Sequence, residues 1–246
     1  ADHPLRLSIL KDRVTLSLDT TGVSLHKRGY RTDTVKAPIE ETLAAALIGL
    51  TPWKGSRPFR DPFCGSGTFP IEAALKALNV APGLDRSFTA EDWKELIPKK
   101  AWYEASTEAL DLIDRSVRTD IEGSDIDPVT IRMAEANAER AGVRDKIRFA
   151  VRDVKDFTDR SSYGFILTNP PYGERISEKE ELPALYGALG AAFRALDNWS
   201  LYVITPYEET ERKIGRKADK NRKIYNGMMK TYFYSFEGGK PPKGAF

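Results

Sequence analysis

The chain has 246 residues, of which 41% are hydrophobic and 30% are charged, and its formal net charge is +2. This length and apolar content predict one large domain with a sizeable core and room for a small appendage. The single cysteine excludes an intramolecular disulfide, and the two histidines lie far from it, so no zinc-ligand spacing is present. The sequence contains no signal peptide and no apolar run long enough to span a membrane, so we expect a cytoplasmic protein without a metal.

The first thirty residues predict a β-hairpin. Leu5, Leu7 and Ile9 alternate with polar residues, a second alternating run follows at 14–18, and residues 19–22 form a turn signal. A lone hairpin is marginally stable in water. We therefore expect residues 1–30 to be a residual hairpin from the end of another, truncated domain, followed by a polar, basic linker or loop at 27–36 and a helix that Pro38 opens.

Residues 31–246 predict a single α/β domain, because strands and helices alternate along them. The expected strands are 59–63, 121–124, 147–151, 163–167 and 201–204, and the expected helices between them are 68–78, 128–141 and 182–196. Residues 80–119 are interpreted as a helical insertion, with one helix near Trp93 and an amphipathic helix around 110–117. Residues 225–236 predict an antiparallel C-terminal strand. The fold class is a doubly wound, mostly parallel sheet, in which ligands bind at the carboxyl ends of the strands.

A glycine-containing turn follows the first of these strands. Gly65 and Gly67 allow backbone to approach a ligand closely, and the helix that follows offers free N–H groups to a carboxylate. Asp61 adds a negative charge that suits an ammonium group, so a zwitterionic amino-acid moiety such as that of S-adenosylmethionine fits better than a pyrophosphate. A nicotinamide site is disfavoured, because Pro70 stands at its third glycine position.

Acids follow the next two strands. Asp125 is placed to accept the two hydroxyls of a ribose, and Ile126 could cover one face of an adenine. Asp127 is expected to cap the helix that Pro128 opens. After the third strand, Asp153 could accept the adenine amino group while Val154 offers a backbone N–H. Each acid alone could equally be a solvated loop or turn residue, but the order of the three signals is much more specific than any one of them.

The fourth strand ends in Asn169-Pro170-Pro171-Tyr172. An exocyclic amine on a nucleobase is a poor nucleophile, because its lone pair is delocalised into the ring. The side-chain oxygen of Asn169 and the carbonyl of Pro170 could accept its two hydrogens, while the two prolines stiffen the loop. Tyr172 offers a ring on which a flipped base can stack. These four residues are the expected catalytic motif for methyl transfer.

These motifs resemble those of the Rossmann-like methyltransferases that act on base amino groups. The segments 25–31, 37–46, 82–86 and 223–227 narrow the resemblance to the bacterial THUMP-containing methyltransferases of the 23S rRNA guanine-N2 type, which are often described as N6-adenine DNA methylases. The resemblance implies a role in cofactor binding or catalysis for the residues discussed above, and it implies that Thr42 lies near the methionine end of the cofactor. The expected cofactor site comprises Thr42, Asp61, Phe63, Cys64, Gly65, Gly67, Asp125, Ile126, Asp153, Val154 and Asn169.

The resemblance also implies RNA as a partner and a full RNA-binding THUMP domain upstream, of which this chain would hold only the last hairpin. A local basic segment is a candidate RNA contact, because residues 212–223 hold seven Lys or Arg against one Asp. An ordinary solvated loop is the alternative. The basic residues are Arg212, Lys213, Arg216, Lys217, Lys220, Arg222 and Lys223.

The leading hypothesis is an S-adenosylmethionine-dependent methyltransferase that acts on the N2 amine of a guanine in RNA, with large-subunit ribosomal RNA as the expected substrate. The runner-up is an N6-adenine methyltransferase on DNA or RNA, since the Asn-Pro-Pro-Tyr chemistry serves either amine. Two other classes remain open: a non-catalytic binding module that has kept the fold, and a nicotinamide-dependent oxidoreductase.

Overall fold

The computed structural model describes residues 3–31, 39–173 and 176–245. Most of them surround a seven-stranded sheet with the order β5-β4-β3-β6-β7-β9-β8, and a separate two-stranded sheet pairs β1 with β2. The strands are β1 (Leu5–Leu10), β2 (Arg13–Leu18), β3 (Phe59–Asp61), β4 (Ile121–Asp125), β5 (Ile147–Val151), β6 (Phe165–Thr168), β7 (Ser200–Thr205), β8 (Lys220–Asn226) and β9 (Met229–Phe236). The helices are α1 (Glu41–Gly49), α2 (Thr68–Ala77), α3 (Lys99–Asp111), α4 (Pro128–Arg140), α5 (Ile176–Arg194) and α6 (Thr210–Ile214).

The large sheet is parallel from β5 to β7 and antiparallel at β9 and β8. The strand order reverses between β3 and β6, which pair with each other although β4 and β5 lie between them in the sequence. The carboxyl ends of β3, β4, β5 and β6 therefore meet at one edge, and the crevice at such a reversal is where doubly wound folds bind ligands.

Two apolar cores cover the faces of this sheet. One contains Leu47 and Ile71 from helices α1 and α2, packed against Phe59 and Tyr202. The other contains Tyr186 and Leu189 from α5, packed against the opposite face. The strands between the helix layers, such as β7, are buried along their whole length, which explains why they read in the sequence as continuous apolar runs.

The β1–β2 hairpin closes through a two-residue turn at Lys11 and Asp12, both of which have a positive φ. The predicted turn at 19–22 therefore lies beyond the hairpin. In the observed register, Leu5, Leu7 and Ile9 lie opposite Leu18, Leu16 and Val14. These six side chains share one face, and all of them are exposed.

The insertion differs in detail from the prediction. The expected helix near Trp93 is a short 3₁₀ turn, Thr89–Asp92, and the amphipathic helix ends at Asp111, so Ile113 and Val117 lie outside it. No described residue of α3 is buried, although the ring of Trp102 in this helix stacks on that of Phe88 at 5.7 Å between ring centres. An amphipathic pattern alone could not show that the apolar stripe stays largely in solvent.

The remaining elements agree with the sequence within a few residues, with one addition. The expected terminal strand is a two-stranded hairpin, in which β8 pairs with β9 and occupies the sheet edge. The helix predicted to begin at Pro38 begins at Glu41, and Pro38 itself lies outside the described residues. Within the described ranges, no helix is both long and apolar enough to cross a bilayer.

Candidate active site

A cavity of about 780 Å³ opens at the carboxyl edge of the sheet, where the strand order reverses. Its wall is formed by the turns after β3, β4, β5 and β6, and by the first half of α5. The predicted site residues in its lining are Asp61, Phe63, Cys64, Gly65, Asp125, Ile126, Asp153, Val154, Asn169, Pro170, Pro171 and Tyr172. Signals spread over more than a hundred residues of sequence therefore meet in one pocket.

The turn after β3 is tied to the end of β4. The Cys64 N–H donates to the Ser124 carbonyl at 2.9 Å, and the Gly67 N–H donates back to the Cys64 carbonyl at 2.8 Å. Gly67 has φ +87° and precedes α2, and a Cβ there would lie 3.1 Å from the Ala134 side chain. Gly67 thus serves helix packing and stands outside the cavity lining, while Gly65 faces it.

Asp61 is the most buried acid of the cavity, with 2% of its surface exposed. Its Oδ1 accepts a hydrogen bond from the Thr168 hydroxyl at 2.6 Å and one from the Phe63 N–H at 3.2 Å. Burial raises the pKa of Asp61 to about 7, because these neutral donors only partly compensate its desolvation and the nearby Asp125 repels its charge. A cation brought into the cavity would stabilise its charged form.

Asp125 ends β4 and shapes the loop around it. One oxygen accepts from the Gly65 N–H at 3.1 Å and the other from the Asp127 N–H at 3.1 Å. Burial raises the pKa of this carboxyl as well. Asp127 caps α4 as expected, because its Oδ1 accepts from the Val129 N–H at 2.8 Å. A carboxylate oxygen that accepts one hydrogen bond keeps a lone pair for a second, so Asp125 can still receive a hydroxyl.

Asp153 combines the two roles weighed for it. It lines the cavity, and it also begins a 3₁₀ turn, with Oδ1 accepting from the Lys155 N–H at 3.0 Å and Oδ2 pairing with the Lys155 ammonium at 3.0 Å. These hydrogen bonds lower its pKa, so it is charged at neutral pH. Val154 is buried beside it, and Ile126, which follows the neighbouring strand β4, adds an exposed apolar side chain to the lining.

The catalytic motif continues directly from β6. The Tyr172 hydroxyl donates a hydrogen bond to the Asn169 side-chain oxygen, which orients that oxygen within the loop. Pro170 is buried and Pro171 is exposed, so the two prolines span the wall and the mouth of the cavity. Burial raises the pKa of Tyr172 to about 12, so its hydroxyl stays protonated and remains a donor.

Comparisons with known proteins identify the family of the chain. Residues 28–234 match the family UPF0020, described as "RMKL-like, methyltransferase domain". The chain belongs to this family. It is 48% identical over 236 residues to the "Putative RNA methyltransferase YpsC" of Bacillus subtilis, covering 96% of this chain and 61% of that protein.

Two further UPF0020 relatives extend the comparison. The "Ribosomal RNA large subunit methyltransferase K/L" of Shewanella baltica is 40% identical over 226 residues, covering 89% of this chain and 32% of that protein. A solved structure, "SMU.472, a putative methyltransferase complexed with SAH", is 40% identical with a TM-score of 0.91, covering 98% of this chain and 63% of that chain. The chain thus spans only part of its relatives' length.

Membership of UPF0020 confirms the predicted Rossmann-like methyltransferase fold and its cofactor class, S-adenosylmethionine. The donor set of the cavity fits that cofactor. Among the described residues, Asp61 is hydrogen-bonded by neutral donors, so it suits an ammonium, and Asp125 and Asp153 are further acceptors. The part of the chain that the structure describes contains no cluster of side chains that could hold a metal ion.

Several residues of the site were not singled out from the sequence. Thr168 supports Asp61, and Leu182, Leu185 and Ala188 of α5 form one cavity wall. The position of Thr168, at the strand end directly before Asn169, was the available signal. Thr42, in contrast, lies half-buried on α1 and outside the cavity lining.

The basic segment, residues 212–223, spans the end of a helix, a turn and the start of a strand. Arg212 and Lys213 lie on α6, Arg216 and Lys217 lie in the turn that follows, and the other three residues lie on the edge strand β8. Three of its charges are paired: Arg212 with Glu209, Arg216 with Asp219 at 2.6 Å, and Lys220 with Glu237 at 3.1 Å. The expectation of a basic loop was wrong in structure, because the segment begins in α6 and its last four residues pair with β9.

Proposed function

We propose that this chain transfers a methyl group from S-adenosylmethionine to the exocyclic amine of a nucleobase in RNA, with the N2 amine of a guanine in large-subunit ribosomal RNA as the target. The observation that carries the proposal is the juxtaposition of the Asn169–Tyr172 loop with three cofactor-type acids in one cavity. The names of the relatives support RNA as the substrate. The same loop chemistry would serve an adenine N6 amine, which the test below distinguishes.

The three acids have distinct roles in this proposal. Asp61, buried and held by the Thr168 hydroxyl, receives the cofactor's ammonium group. Asp125, at the tip of β4, receives the ribose hydroxyls, and the backbone bonds from Gly65 and Asp127 fix its orientation. Asp153 and Val154 receive the adenine end, and the apolar side chain of Ile126, also in the lining, covers a face of the ring. The bound cofactor supplies an electrophilic methyl group on a sulfonium, which is itself the leaving-group activator.

Asn169 polarises the nucleophile. Its side-chain oxygen accepts a hydrogen from the base amine, which draws the nitrogen toward pyramidal geometry and localises its lone pair. The bond from the Tyr172 hydroxyl holds this oxygen in place without using both of its lone pairs. Because the attacking amine becomes acidic as it is methylated, its proton can leave to water, and no strong general base is needed.

Tyr172 has a second role, since its ring can stack on a flipped base. Apolar side chains of α5, including Leu182 and Leu185, close the cavity on that side and exclude water from the reacting amine. Pro170 and Pro171 restrict the backbone of the loop, so it keeps the same conformation whether or not a substrate is bound.

The decisive experiment compares Asn169→Ala with Tyr172→Ala. Asn169→Ala should lower kcat about 10²–10³-fold, as loss of one preorganised polar group does, and leave S-adenosylmethionine affinity nearly unchanged. Tyr172→Ala should raise the apparent KM for RNA, through about 1–3 kcal/mol of lost stacking, and should also lower kcat, because it removes the hydroxyl that orients the Asn169 oxygen. Tyr172→Phe keeps the ring, so it should lower kcat and leave the KM for RNA nearly unchanged. The measurement is label transfer to large-subunit ribosomal RNA that lacks its guanine-N2 methyl groups.

The product nucleoside is then identified by mass spectrometry. Methyl on guanine N2 supports the full proposal, and methyl on adenine N6 would overturn the target while keeping the mechanism. Full activity of Asn169→Ala would overturn the mechanism. If the unaltered chain transfers no methyl to any RNA, the substrate class is wrong.

We further propose that the basic segment contributes to RNA affinity without selecting the base. Among the described residues, Lys213, Lys217, Arg222 and Lys223 form no ion pair with an acid. Lys213 is half-buried and the other three are exposed. Replacing these four by Ser should weaken RNA binding and flatten its salt dependence by roughly one unit of slope per lost phosphate contact. An unchanged slope in a salt titration would make the segment an ordinary solvated surface.

Residues 1–30 also enter the proposal, as the end of an RNA-binding THUMP domain in a longer protein. Two observations support this. The six apolar side chains on one face of the β1–β2 hairpin are exposed, as expected for a surface that another unit covers. The relatives extend well beyond the matched length.

A further inference from the structure

The β8–β9 hairpin extends past the rest of the sheet on the side of the cavity. The last residue of β7, Thr205, pairs with Tyr232, whereas β9 begins three residues earlier at Met229. These three residues rise about 10 Å beyond the end of β7, at about 3.4 Å per residue. Because β8 runs parallel to β7, the hairpin tip lies at the same edge as the carboxyl ends of the other parallel strands.

The tip itself is a tight two-residue turn. Asn226 pairs with Met229, and Gly227 and Met228 connect them, with Gly227 at φ +59°. Glycine at the first central position is what a type II′ hairpin turn requires. Met228 is consequently presented to solvent with 99% of its surface exposed. An unbranched apolar side chain held at the end of a rigid hairpin has nothing to pack against within the described chain.

The flanks of the tip carry positive charge and aromatic surface. The Lys223 ammonium lies 5.4 Å from the centre of the Tyr225 ring, and the Lys230 ammonium lies 5.1 Å from that of Tyr232. The Tyr225 side chain is 58% exposed. Cations beside one exposed and one half-buried ring, together with an apolar tip, match a nucleic acid, whose phosphates and base faces offer the complementary surfaces.

The tip is also linked to the catalytic motif. Thr168 is level with Val203 in the pairing of β6 with β7, so Asn169 and Pro170 lie level with the end of β7, at the edge of the sheet from which the hairpin extends. Asn226 is half-buried although it adjoins the exposed turn. Its side chain is hydrogen-bonded to the Tyr172 hydroxyl, and this bond partly offsets the rise in the pKa of Tyr172 that burial causes.

We propose that the tip of this hairpin, residues 225–228, enters the substrate RNA beside the target nucleotide, and that Met228 takes the place in the base stack that the target vacates when it moves onto Tyr172. The inference rests on the proposed function. Extruding a base costs unstacking free energy, and apolar wedges from other nucleic-acid-binding proteins fill the gap in this way. Lys223 and Lys230 would lie against the flanking phosphates.

The experiment compares Met228→Ala with Met228→Leu and with Leu110→Ala, a matched loss of an exposed apolar side chain on the distant helix α3. Each variant is assayed for label transfer from S-adenosylmethionine to intact, unmethylated large-subunit ribosomal RNA. The same variants are assayed on that RNA fragmented and heat-denatured, in which the target is already unstacked. Cofactor affinity is measured by calorimetry.

Met228→Ala should lower kcat/KM on intact RNA about tenfold or more, Met228→Leu should restore most of it, and Leu110→Ala should have no effect. On denatured RNA, Met228→Ala should approach the unaltered chain, because no stack remains to be opened. Cofactor affinity should be the same throughout. A Met228→Ala variant as active as the unaltered chain on intact RNA, or equally impaired on both RNAs, would overturn the wedge.

Failure of the wedge and failure of the proposed function give different results. If the unaltered chain methylates RNA and Met228→Ala does so equally well, only the wedge is lost. If the unaltered chain methylates neither RNA, the proposed function fails, and the wedge fails with it. Lys223→Ala provides a further comparison, with Lys99→Ala, an exposed lysine of α3 outside the basic segment, as its control. Lys223→Ala alone should raise the KM for RNA, and equal effects of the two would contradict the proposed orientation.

Discussion

Asp61, at the end of β3, and Glu72, on α2, are two buried acids, with 2% and 3% of their surfaces exposed. Burial raises the pKa of each to about 7. Their surroundings differ. Glu72 lies 2.9 Å from the Arg28 guanidinium and accepts a hydrogen bond from the Tyr30 hydroxyl at 3.0 Å. Asp61 has neutral donors only, and the charge that acts on it most directly belongs to another acid.

The difference separates an acid of the scaffold from an acid of the site. Glu72 finds its cation within the chain, so its charge ties the segment around Tyr30 to α2. Asp61 faces a cavity and is completed only when a ligand brings the cation. The desolvation cost of the Glu72 carboxylate is therefore partly offset within the folded chain, by Arg28. The desolvation cost of the Asp61 carboxylate is offset only when a ligand brings a cation into the cavity. Substitutions at the two positions should separate stability from affinity.

The largest effect is expected for Glu72→Ala. Removing one partner of a buried ion pair leaves Arg28 without compensation, and the free energy of unfolding should fall by about 3 kcal/mol. Glu72→Gln keeps an acceptor for the Tyr30 hydroxyl and should lose less. Urea denaturation measures both. A loss below about 1 kcal/mol for Glu72→Ala, the range of exposed pairs, would mean that this acid is not a scaffold element.

Asp61→Asn should lower the affinity for the cofactor without lowering the stability of the protein. The amide keeps the size of the side chain, so unfolding at pH 7 should require at least as much free energy as in the unaltered chain. S-adenosylmethionine affinity should fall about 10- to 100-fold, or about 1.5–3 kcal/mol, the scale of a charge-assisted hydrogen bond. Calorimetric titration tests this, with Glu72→Gln as the control that leaves affinity unchanged. Equal affinity of Asp61→Asn would remove the acid from the ammonium site.

The pH dependence of binding gives a smaller, more specific effect. The free protein protonates Asp61 below about pH 7, whereas the bound ammonium requires the carboxylate. Affinity for S-adenosylmethionine should therefore rise about tenfold between pH 5.5 and 7, while the ligand's ammonium stays charged. Asp61→Asn should abolish this increase in affinity with pH. Thr168→Val removes a donor to the Asp61 carboxylate, so the increase should occur at higher pH. Thr168→Ser keeps the hydroxyl and should return the increase to its original pH range. A flat profile in the unaltered chain would contradict the assignment.

The raised pKa of Asp61 also determines how the stability of the protein depends on pH. Because the folded pKa of Asp61 lies above the value of about 3.9 expected in an unfolded chain, the folded state binds the proton more tightly. The associated stability is fully present below about pH 4 and is lost as the pH rises through 7. Bound cofactor should remove this loss, since it stabilises the charged form.

The sequence predicted those features that depend on local pattern and order along the chain. The parallel strands, the Asp127 cap of α4 and the meeting of the acids with Asn169 at one edge all follow from alternation and from the geometry of parallel sheets. Thr42 was expected near the site from resemblance alone, and the cavity lining does not include it.

Features that depend on contacts between distant segments could not be predicted. The bond from Thr168 to Asp61 requires β6 to pair with β3, which a pattern of alternation does not specify. The second strand of the terminal hairpin, β8, is polar and basic because it forms the sheet edge, so it lacks the alternation that identifies a half-buried strand. The exposure of α3 likewise depends on what the rest of the fold leaves uncovered.

The pairing of β3 with β6 has a consequence for the order of folding. Asp61 and Thr168 are separated by 107 residues, so their hydrogen bond forms only after a long loop has closed. An intermediate consisting of β3, β4 and β5 with their helices would hold the glycine turn and Asp125 but lack the loop of Asn169. The capacity to bind cofactor should therefore appear in stages during refolding, with full affinity acquired only when the central strands have joined.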